Sequence, residues 1–316
     1  MKELSVGIDI GGTNTAIGIV DEKGNFWAES SISTNKYLTI ESFVEALTKK
    51  INECLDSINE NYIVKGIGVG APNGNFYTGT IEFAPNLNWK GVVPLVELLN
   101  KNFHLPIVLT NDANAAAMGE MIYGSAKGMK NFIVITLGTG LGSGFVVNGK
   151  LVYGNDGFAG ELGHVIIDVN GRKCGCGRKG CLETYVSATG IKNTVIELLD
   201  NKNSESILNQ IDRNKLDSKD IFMAAKEGDK LALEAFDFTA KILALQLANS
   251  VAITSPEAIF LFGGLALSGD YILKPTKKYF EENLLEIFKD KVKLELSGLM
   301  GKNAAVLGAA ALIWNI

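Results

Sequence analysis

Two distant segments of the chain share one pattern, an apolar strand that closes on a glycine-rich turn and continues into a second strand. The first is LSVGIDIGG followed by TAIGIVD, within residues 4–21, and the second is NFIVITLGTGLGSGFVV, over residues 131–147. Each unit then reaches a polar turn, at residues 22–25 and 148–149, that predicts a third strand. The two units lie about one small domain apart. The pattern therefore indicates a duplicated fold.

Helical and strand-like segments alternate between and after these units. Residues 40–58 carry apolar residues at helical spacing, and the strand-like VKGIGVGAP follows at residues 64–72. The same criteria predict helices over 96–103, 113–124, 230–251 and 303–314, and strands over 106–112 and 258–266. Helices that cross over between strands are typical of the α/β class. The last helix is apolar, and we expect it to pack back on the first domain.

The composition excludes several classes of protein. The 316 residues are 47% hydrophobic, and 30 Lys and Arg against 35 Asp and Glu give a net charge of −5. Because the charges are interspersed without a basic block, we expect no nucleic-acid partner. The N-terminus lacks the basic start and apolar run of a signal peptide, and no apolar stretch reaches the roughly 18 residues of a membrane span. We therefore expect a cytoplasmic protein with no membrane partner.

The first glycine-rich turn, DIGGTNT at residues 9–15, has the features of an anion site. Gly11 and Gly12 let backbone N–H groups approach a phosphate closely, and the side chains of Thr13 and Asn14 add donors. Asp9 ends the preceding strand, where a carboxylate can hold a hydrated Mg²⁺. The alternative is an ordinary tight hairpin rich in Gly and Asn.

Two more glycine-rich turns follow strand ends. TLGTGLGSG contains Thr139 and Gly140 and repeats the properties of the first turn, and the pair Gly263 and Gly264 closes AIFLF. Three such turns at strand ends favour phosphate-binding turns over three unrelated hairpins.

A polar segment, TNDAN, follows the apolar strand at residues 106–110. Asn111 and Asp112 therefore lie at the carboxyl end of a strand just before a helix, where open α/β sheets keep their reactive groups. A carboxylate there can accept a proton from a hydroxyl nucleophile during phosphoryl transfer. The alternative is that Asp112 only caps the helix that follows.

Three of the four cysteines lie within eight residues, and one of the two histidines precedes them by ten. The side chains of His164, Cys174, Cys176 and Cys181 form a ligand set suited to a tetrahedral structural Zn²⁺ with no open position. The alternative is a group of buried reduced thiols beside an unrelated histidine. In a reducing compartment a metal site is favoured over disulfides.

Two glutamates flank the proposed metal loop. Glu161 precedes His164 by three residues, and Glu183 follows Cys181 by two. A metal site would hold both carboxylates rigidly as acceptors for substrate hydroxyls. The alternative is an exposed acidic pair on the surface.

Together these motifs resemble the ROK family, which groups repressors, open-reading-frame proteins and sugar kinases within the hexokinase, actin and Hsp70 superfamily. The matching segments are GIDIGGTN (7–14), LTNDANAAAMGE (109–120), ITLGTGLGSG (135–144), GELGH (160–164), CGCGRKGCLE (174–183) and LFGGLA (261–266). The resemblance covers nearly the whole chain, and GELGH with the cysteine motif is its most specific part.

The resemblance implies a two-lobed actin-like (ribonuclease H-like) ATPase fold with duplicated βββαβα domains. We place a small N-terminal lobe at residues 1–110 plus 300–316, with the C-terminal helix packed back, and a large lobe with the zinc-binding loop at residues 111–299.

The resemblance also implies a role for each matching residue. Asp112 would be the general base, and the sugar hydroxyls would be bound by Asn86, Asn111, Asp112, Glu161, His164 and Glu183. ATP would lie between Gly11, Gly12, Thr13 and Asn14 of the first turn, Thr139 and Gly140 of the second, and Gly263 and Gly264 beside the adenosine. His164 would bind structural Zn²⁺ through one ring nitrogen and face the sugar with the other.

The activity implied by the resemblance is an ATP- and Mg²⁺-dependent hexokinase acting on the 6-hydroxyl of an aldohexose, most simply glucose. An N-acetylglucosamine or N-acetylmannosamine kinase uses the same residues, and a sugar-responsive repressor is a third reading, disfavoured because about five residues precede the first phosphate element. A homodimer or homotetramer is expected. Two positions depart from the family pattern: Asn14 stands where Lys is frequent, and Asn73 in GAPN stands where Gly is more usual.

Overall fold

A computed structural model describes residues 1–201, 205–301 and 303–315 of the chain. Its strands are β1 (Lys2–Ile10), β2 (Asn14–Asp21), β3 (Phe26–Ser33), β4 (Tyr62–Gly70), β5 (Gly74–Asn75), β6 (Thr80–Glu82), β7 (Val92–Val93), β8 (Ile107–Thr110), β9 (Phe132–Leu137), β10 (Leu141–Val147), β11 (Lys150–Leu151), β12 (Ala258–Phe262) and β13 (Lys293–Leu296). Its α-helices are α1 (Ile40–Asp56), α2 (Leu95–Asn100), α3 (Asp112–Tyr123), α4 (Ala188–Asn201), α5 (Ser218–Lys226), α6 (Lys230–Thr254), α7 (Asp270–Asn283) and α8 (Ala304–Ala311). The predicted helices and strands agree with these bounds to within a few residues.

The strands form two five-stranded sheets with the same topology. The first has the order β3-β2-β1-β4-β8, and the second has the order β11-β10-β9-β12-β13. In each sheet the first three strands of the chain are antiparallel neighbours, and the last two run parallel to the first. The α/β class and the duplicated unit predicted from the sequence are confirmed.

Helices cover the two faces of the first sheet. On one face, Phe43 and Leu47 of α1 share a core cluster with Val6 and Ile8 of β1. The helix begins at the N-cap Thr39, whose side chain accepts a hydrogen bond from a backbone N–H of the first turn. Because both faces are covered, residues 4–10 of β1 are almost continuously buried, with large apolar side chains facing α1 and the smaller Ser5 and Gly7 on the other face.

The other face of this sheet packs against α8. A Cβ atom on Gly68 of β4 would lie 1.8 Å from the carbonyl oxygen of Ala309, so the helix backbone touches the sheet directly. The α3 and α8 helices also approach each other closely, at Gly119 and Gly308, where a Cβ atom would lie 2.9 and 2.4 Å from the backbone of the other helix. The α8 helix therefore packs on the first sheet. Residues 302 and 316 of the segment 300–316, which is predicted to belong to the small lobe, lie outside the described residues. The boundaries between the two lobes stay a prediction.

The second sheet carries the larger helical layer. The α6 helix packs against α4, α5 and α7. Its buried residues share one core cluster with Ile133, Ile135 and Leu137 of β9. Within the described residues, no helix combines the length and the apolar character required to cross a membrane.

The sequence did not predict the small antiparallel sheet of β5, β6 and β7. Its strands have two or three residues each, which is too short for a periodic pattern. This sheet contacts the segment that follows β11. The ring of Phe76 stacks on Tyr153 at 4.1 Å, and the Tyr77 hydroxyl donates to the carbonyl oxygen of Gly154 at 2.9 Å. The small sheet therefore joins the first half of the chain to the second.

Candidate active site

The two glycine-rich turns close their hairpins in the same way. After β1, the N–H of Gly11 donates to the carbonyl oxygen of Asn14 at 3.0 Å, and after β9 the N–H of Gly138 donates to that of Gly140 at 3.0 Å. Thr13, Asn14 and Thr139 are exposed at the tips. Each turn can therefore offer backbone and side-chain donors to an anion.

The third glycine-rich turn lies beside the second one. Gly263 has a φ of +101°, and a Cβ atom there would lie 2.7 Å from the carbonyl oxygen of Leu137, the last residue of β9. Gly264 is exposed and has open space around its Cα atom. The structure thus brings the ends of β9 and β12 together, at one edge of the second sheet.

Asp112 is the first residue of α3, and its predecessor caps the helix. The Asn111 side chain accepts a hydrogen bond from the N–H of Asn114 at 2.7 Å, while Asp112 Oδ1 accepts from the N–H of Ala113 at 2.8 Å. The interpretation of Asp112 as the N-cap is therefore wrong, because Asn111 holds that position. Asn111 is buried, whereas the Asp112 side chain is exposed to solvent.

Asp9 and Asp112 face each other across a glycine. A Cβ atom on Gly70, the register partner of Asp9, would lie 3.7 Å from the Asp112 Cα atom and 4.0 Å from Asp9 Oδ1. Burial, followed by the charge of Asp112, raises the pKa of Asp9 from 3.8 to about 6. Although solvent reaches Asp112 from one side, the protein on its other sides desolvates the carboxyl group and raises its pKa. Both groups are therefore poised to take up protons or a cation.

Glu161, His164 and Glu183 lie together near Asp112. His164 Nδ1 is 3.6 Å from Glu183 Oε1. Burial raises the pKa of Glu161, the charges of Asp112 and Glu183 add to this effect, and His164 opposes it. Glu183 is half-buried and also adjoins the second glycine turn, because a Cβ atom on Gly140 would lie 2.6 Å from its Oε2. Glu161 and Glu183, the predicted sugar carboxylates, thus lie close to the predicted base Asp112 and to one of the predicted phosphate turns.

The predicted zinc ligands converge. The metal-binding atoms of His164, Cys174, Cys176 and Cys181 all lie within 4.8 Å of one another. His164 Nδ1 is 3.7 Å from Cys174 Sγ, and Cys176 Sγ is 3.6 Å from Cys181 Sγ. A tetrahedral Zn²⁺ with bonds of about 2.3 Å to sulfur requires ligand separations of roughly 3.8 Å. The cluster therefore fits zinc in both donor chemistry and spacing.

The loop around these ligands is held by its backbone. Cys174 N–H donates to the carbonyl oxygen of Arg178 at 2.9 Å, and a Cβ atom on Gly180 would lie 1.6 Å from the carbonyl oxygen of Asp168. Burial acts to raise the pKa of Cys176, but hydrogen bonds from Arg178 outweigh it and bring the value to about 6. Cys174 Sγ also lies 3.0 Å from Glu183 Oε1, so the metal loop and the predicted sugar carboxylate are in direct contact.

Two further positions singled out from the sequence, Asn86 and Asn73, lie in the first half of the chain. Asn86 is exposed, and its backbone packs on the first glycine turn, since a Cβ atom on Gly12 would lie 2.6 Å from its carbonyl oxygen. Asn73 has a φ of +51°, in the left-handed region that favours Gly and tolerates Asn. Its side chain donates to the carbonyl oxygen of Glu82 at 2.9 Å. The departure from Gly at position 73 is therefore compatible with the backbone.

The sequence analysis missed three residues around the site. Ser143 hydrogen-bonds the backbone on both sides of Glu161, Asn75 donates to the carbonyl oxygen of Asp156, and the Tyr153 hydroxyl interacts with the side chain of Thr110. Burial raises the pKa of Tyr153 to about 12. Only Ser143 left a signal in the sequence, as a polar residue between two of the alternating glycines in GLGSG.

Comparison with known proteins agrees with this geometry. A glucokinase of Halalkalibacterium halodurans is 38% identical over 315 residues, which cover 98% of this chain and 94% of that protein. The xylose repressor of Bacillus subtilis is 29% identical over 317 residues, which cover 98% of this chain and 76% of the repressor. The crystal structure of a ROK family glucokinase from Streptomyces griseus, in complex with glucose and AMPPNP, superposes with a TM-score of 0.81 at 33% identity over 99% of this chain and 100% of that one. The ROK family model matches residues 5–315. The chain belongs to the ROK family.

Proposed function

We propose that this protein is an ATP-dependent hexokinase that phosphorylates the 6-hydroxyl of glucose. The observation that carries the proposal is the position of Asp112, at the start of α3, among Asp9, Glu161 and Glu183 and next to the second glycine turn. The glucokinases similar to this chain over nearly its full length, at 38% and 33% identity, support the same activity.

Asp112 is the general base of the proposed reaction. Its carboxylate accepts the proton of the sugar 6-hydroxyl while that oxygen forms a bond to the γ-phosphorus of ATP. The bond from this phosphorus to the bridging oxygen breaks, and ADP leaves with the electron pair. A raised pKa suits this role, because a base is most effective when its pKa approaches the working pH.

The other carboxylates bind the neutral sugar. Glu161 and Glu183 accept hydrogen bonds from ring hydroxyls, together with the side chains of Asn111, Asn86 and His164. A site built from such acceptors discriminates strongly against a sugar that lacks a hydroxyl. His164 Nδ1 faces the thiols, which leaves Nε2 for the sugar.

The remaining assignments concern the nucleotide and the metals. The donors at Gly11–Asn14 and at Thr139 and Gly140 hold the ATP phosphates, and Gly263 and Gly264 border the adenosine. Asp9 is the residue proposed to hold hydrated Mg²⁺, which neutralises phosphate charge when bound. Zn²⁺ at His164 and the three thiols serves as a structural ion that fixes the loop. We also predict a cytoplasmic location and a homodimer or homotetramer. Light scattering would measure the oligomeric state.

The test is a coupled ADP-release assay with ATP and glucose, N-acetylglucosamine, N-acetylmannosamine, mannose, fructose and allose. We expect the highest kcat/KM with glucose. Preference for an N-acetylhexosamine would replace glucose as the substrate, and no turnover with any sugar would refute the kinase assignment and favour a sugar sensor. Asp112→Asn should lower kcat by several orders of magnitude while glucose binding by calorimetry persists.

A further inference from the structure

The carboxylate of Glu161 is positioned by its backbone rather than by side-chain partners. In the described parts of the chain, no donor hydrogen-bonds this carboxylate, which interacts only through charge with His164, Asp112 and Glu183. Its oxygens are therefore free for a ligand. The direction in which they point depends on the conformation of residues 160–162.

Glu161 is the central residue of an inverse γ-turn. Its φ of −77° and ψ of 55° lie close to the values of that turn, and the N–H of Leu162 donates to the carbonyl oxygen of Gly160 at 2.9 Å. Gly160 itself has a φ of +94°, a conformation that other residues rarely adopt. A three-residue turn with one bent hydrogen bond would by itself fix the direction of a ligand-binding carboxylate only weakly.

The hydroxyl of Ser143 bonds both ends of this turn. It donates to the carbonyl oxygen of Gly160 and accepts from the N–H of Leu162 at 3.2 Å. Ser143 lies in β10 and is only 3% exposed, so water does not compete for these bonds. Both residues adjacent to Glu161 are thus tied to one side chain of a central strand.

We propose that Ser143 is a positioning residue for the sugar site: its hydroxyl fixes the turn that aims the Glu161 carboxylate at a hydroxyl of the hexose. The inference rests on the proposed function and deepens it. The inference also links the two parts of the site through β10. The strand begins directly after Gly140 of the phosphate turn, and its third residue, Ser143, holds the turn of the sugar carboxylate. One rigid element therefore sets the distance between the sugar and the phosphates.

The test compares Ser143→Ala with the matched control Ser250→Ala. Ser250 is also 3% exposed and donates one hydrogen bond, to the carbonyl oxygen of Gln246 at 2.9 Å, within α6. We expect Ser143→Ala to raise the KM and the calorimetric Kd for glucose roughly tenfold, the effect of one well-placed hydrogen bond, with the KM for ATP within twofold of wild type. Ser143→Thr keeps the hydroxyl and should restore the glucose KM. The control should change neither constant.

A double-mutant cycle with Glu161→Ala separates positioning from general stability. If Ser143 acts through Glu161, its removal has no further effect on the glucose Kd once Glu161 is already Ala. Additive effects, or equal changes in the constants for glucose and ATP, would overturn the inference. The two proposals fail differently: a wild-type protein that phosphorylates no hexose refutes the function, whereas an active wild type with an unaltered Ser143→Ala variant refutes only the role of Ser143.

Discussion

Glu120 offers a test of how the two halves of the chain are held together. Its side chain is 1% exposed, and its carboxylate accepts hydrogen bonds from the N–H groups of Ser125 and Gly298, at 2.7 and 2.9 Å, and from the hydroxyl of Ser297. Residues 297–298 follow β13 of the second sheet, on the way to α8 on the first sheet. The carboxylate therefore fastens α3, which begins with Asp112, to this returning segment.

The expected cost of removing this carboxylate follows from its three partners. Each buried donor left without an acceptor costs about 1–3 kcal/mol, and water that enters the vacated space recovers part of it, so Glu120→Ala should lower the free energy of unfolding by about 3–5 kcal/mol. Glu120→Gln keeps the oxygen that accepts both N–H groups, and the Ser297 hydroxyl can rotate to accept from the new amide. We expect that variant to lose only about 1 kcal/mol.

Differential scanning calorimetry and urea unfolding measure both variants. At roughly 2 °C per kcal/mol for a chain of this size, the transition should fall by about 6–10 °C for Glu120→Ala and by about 2 °C for Glu120→Gln. Glu45→Ala, at an exposed position of α1, is the control and should shift stability by less than about 0.5 kcal/mol. Equal losses in the Ala and Gln variants would show that the charge, not the set of acceptors, matters and would refute the reasoning.

Three further perturbations test the site and its surroundings. Asp9→Asn should stabilise the ligand-free protein at pH 7, because a pKa raised to about 6 makes the ionised carboxylate costly in the folded state. The gain in stability is full above that pKa and shrinks as the pH falls toward the ordinary Asp value, so urea unfolding at pH 7 and pH 4.5 measures it. Chelation should release one zinc ion per chain, measured with a colorimetric indicator, and weaken glucose binding, because Glu183 adjoins Cys174; metal-free protein that binds glucose normally would contradict this. Tyr77→Phe removes the hydrogen bond to Gly154 and should cost about 1 kcal/mol in urea unfolding, with no loss if that bond is absent in solution.

Much of the architecture was predictable because it depends on local patterns. The two strand, turn, strand units are apolar runs that end in glycines, and their repetition is enough to predict two similar sheets. The cluster of one His and three Cys was predictable for a similar reason, since three of its four side chains lie within eight residues. The proposal that Asp112 is reactive rests on the rule that the ends of strands carry functional groups, and its place after β8 agrees with the sequence.

What could not be predicted depends on contacts between distant segments or on single-residue boundaries. Asn111 and Asp112 differ by one position as candidates for the helix N-cap, and the apolar periodicity of a sequence does not locate a helix end to one residue. The contact of Tyr77 with Gly154 joins residues 77 positions apart, and the bonds of Glu120 to residues 297 and 298 span 177 and 178 positions. No local pattern encodes such pairs. Ser143 is similar, because its role exists only once the 160–162 turn lies against β10.

The raised pKa values of Asp9, Asp112 and Glu161 have a common cause and a common consequence. Burial is the first cause in each case; the charge of Asp112 adds to it at Asp9 and Glu161, and His164 opposes it at Glu161. A folded protein gains no stability from such a group, so its retention points to ligands that supply what is missing. In the proposed function a polyhydroxyl sugar would supply donors, and a divalent cation with ATP would supply positive charge beside Asp9. The burial that makes these carboxylates costly in the free protein would therefore make the proposed site selective for a neutral donor-rich ligand together with a metal nucleotide.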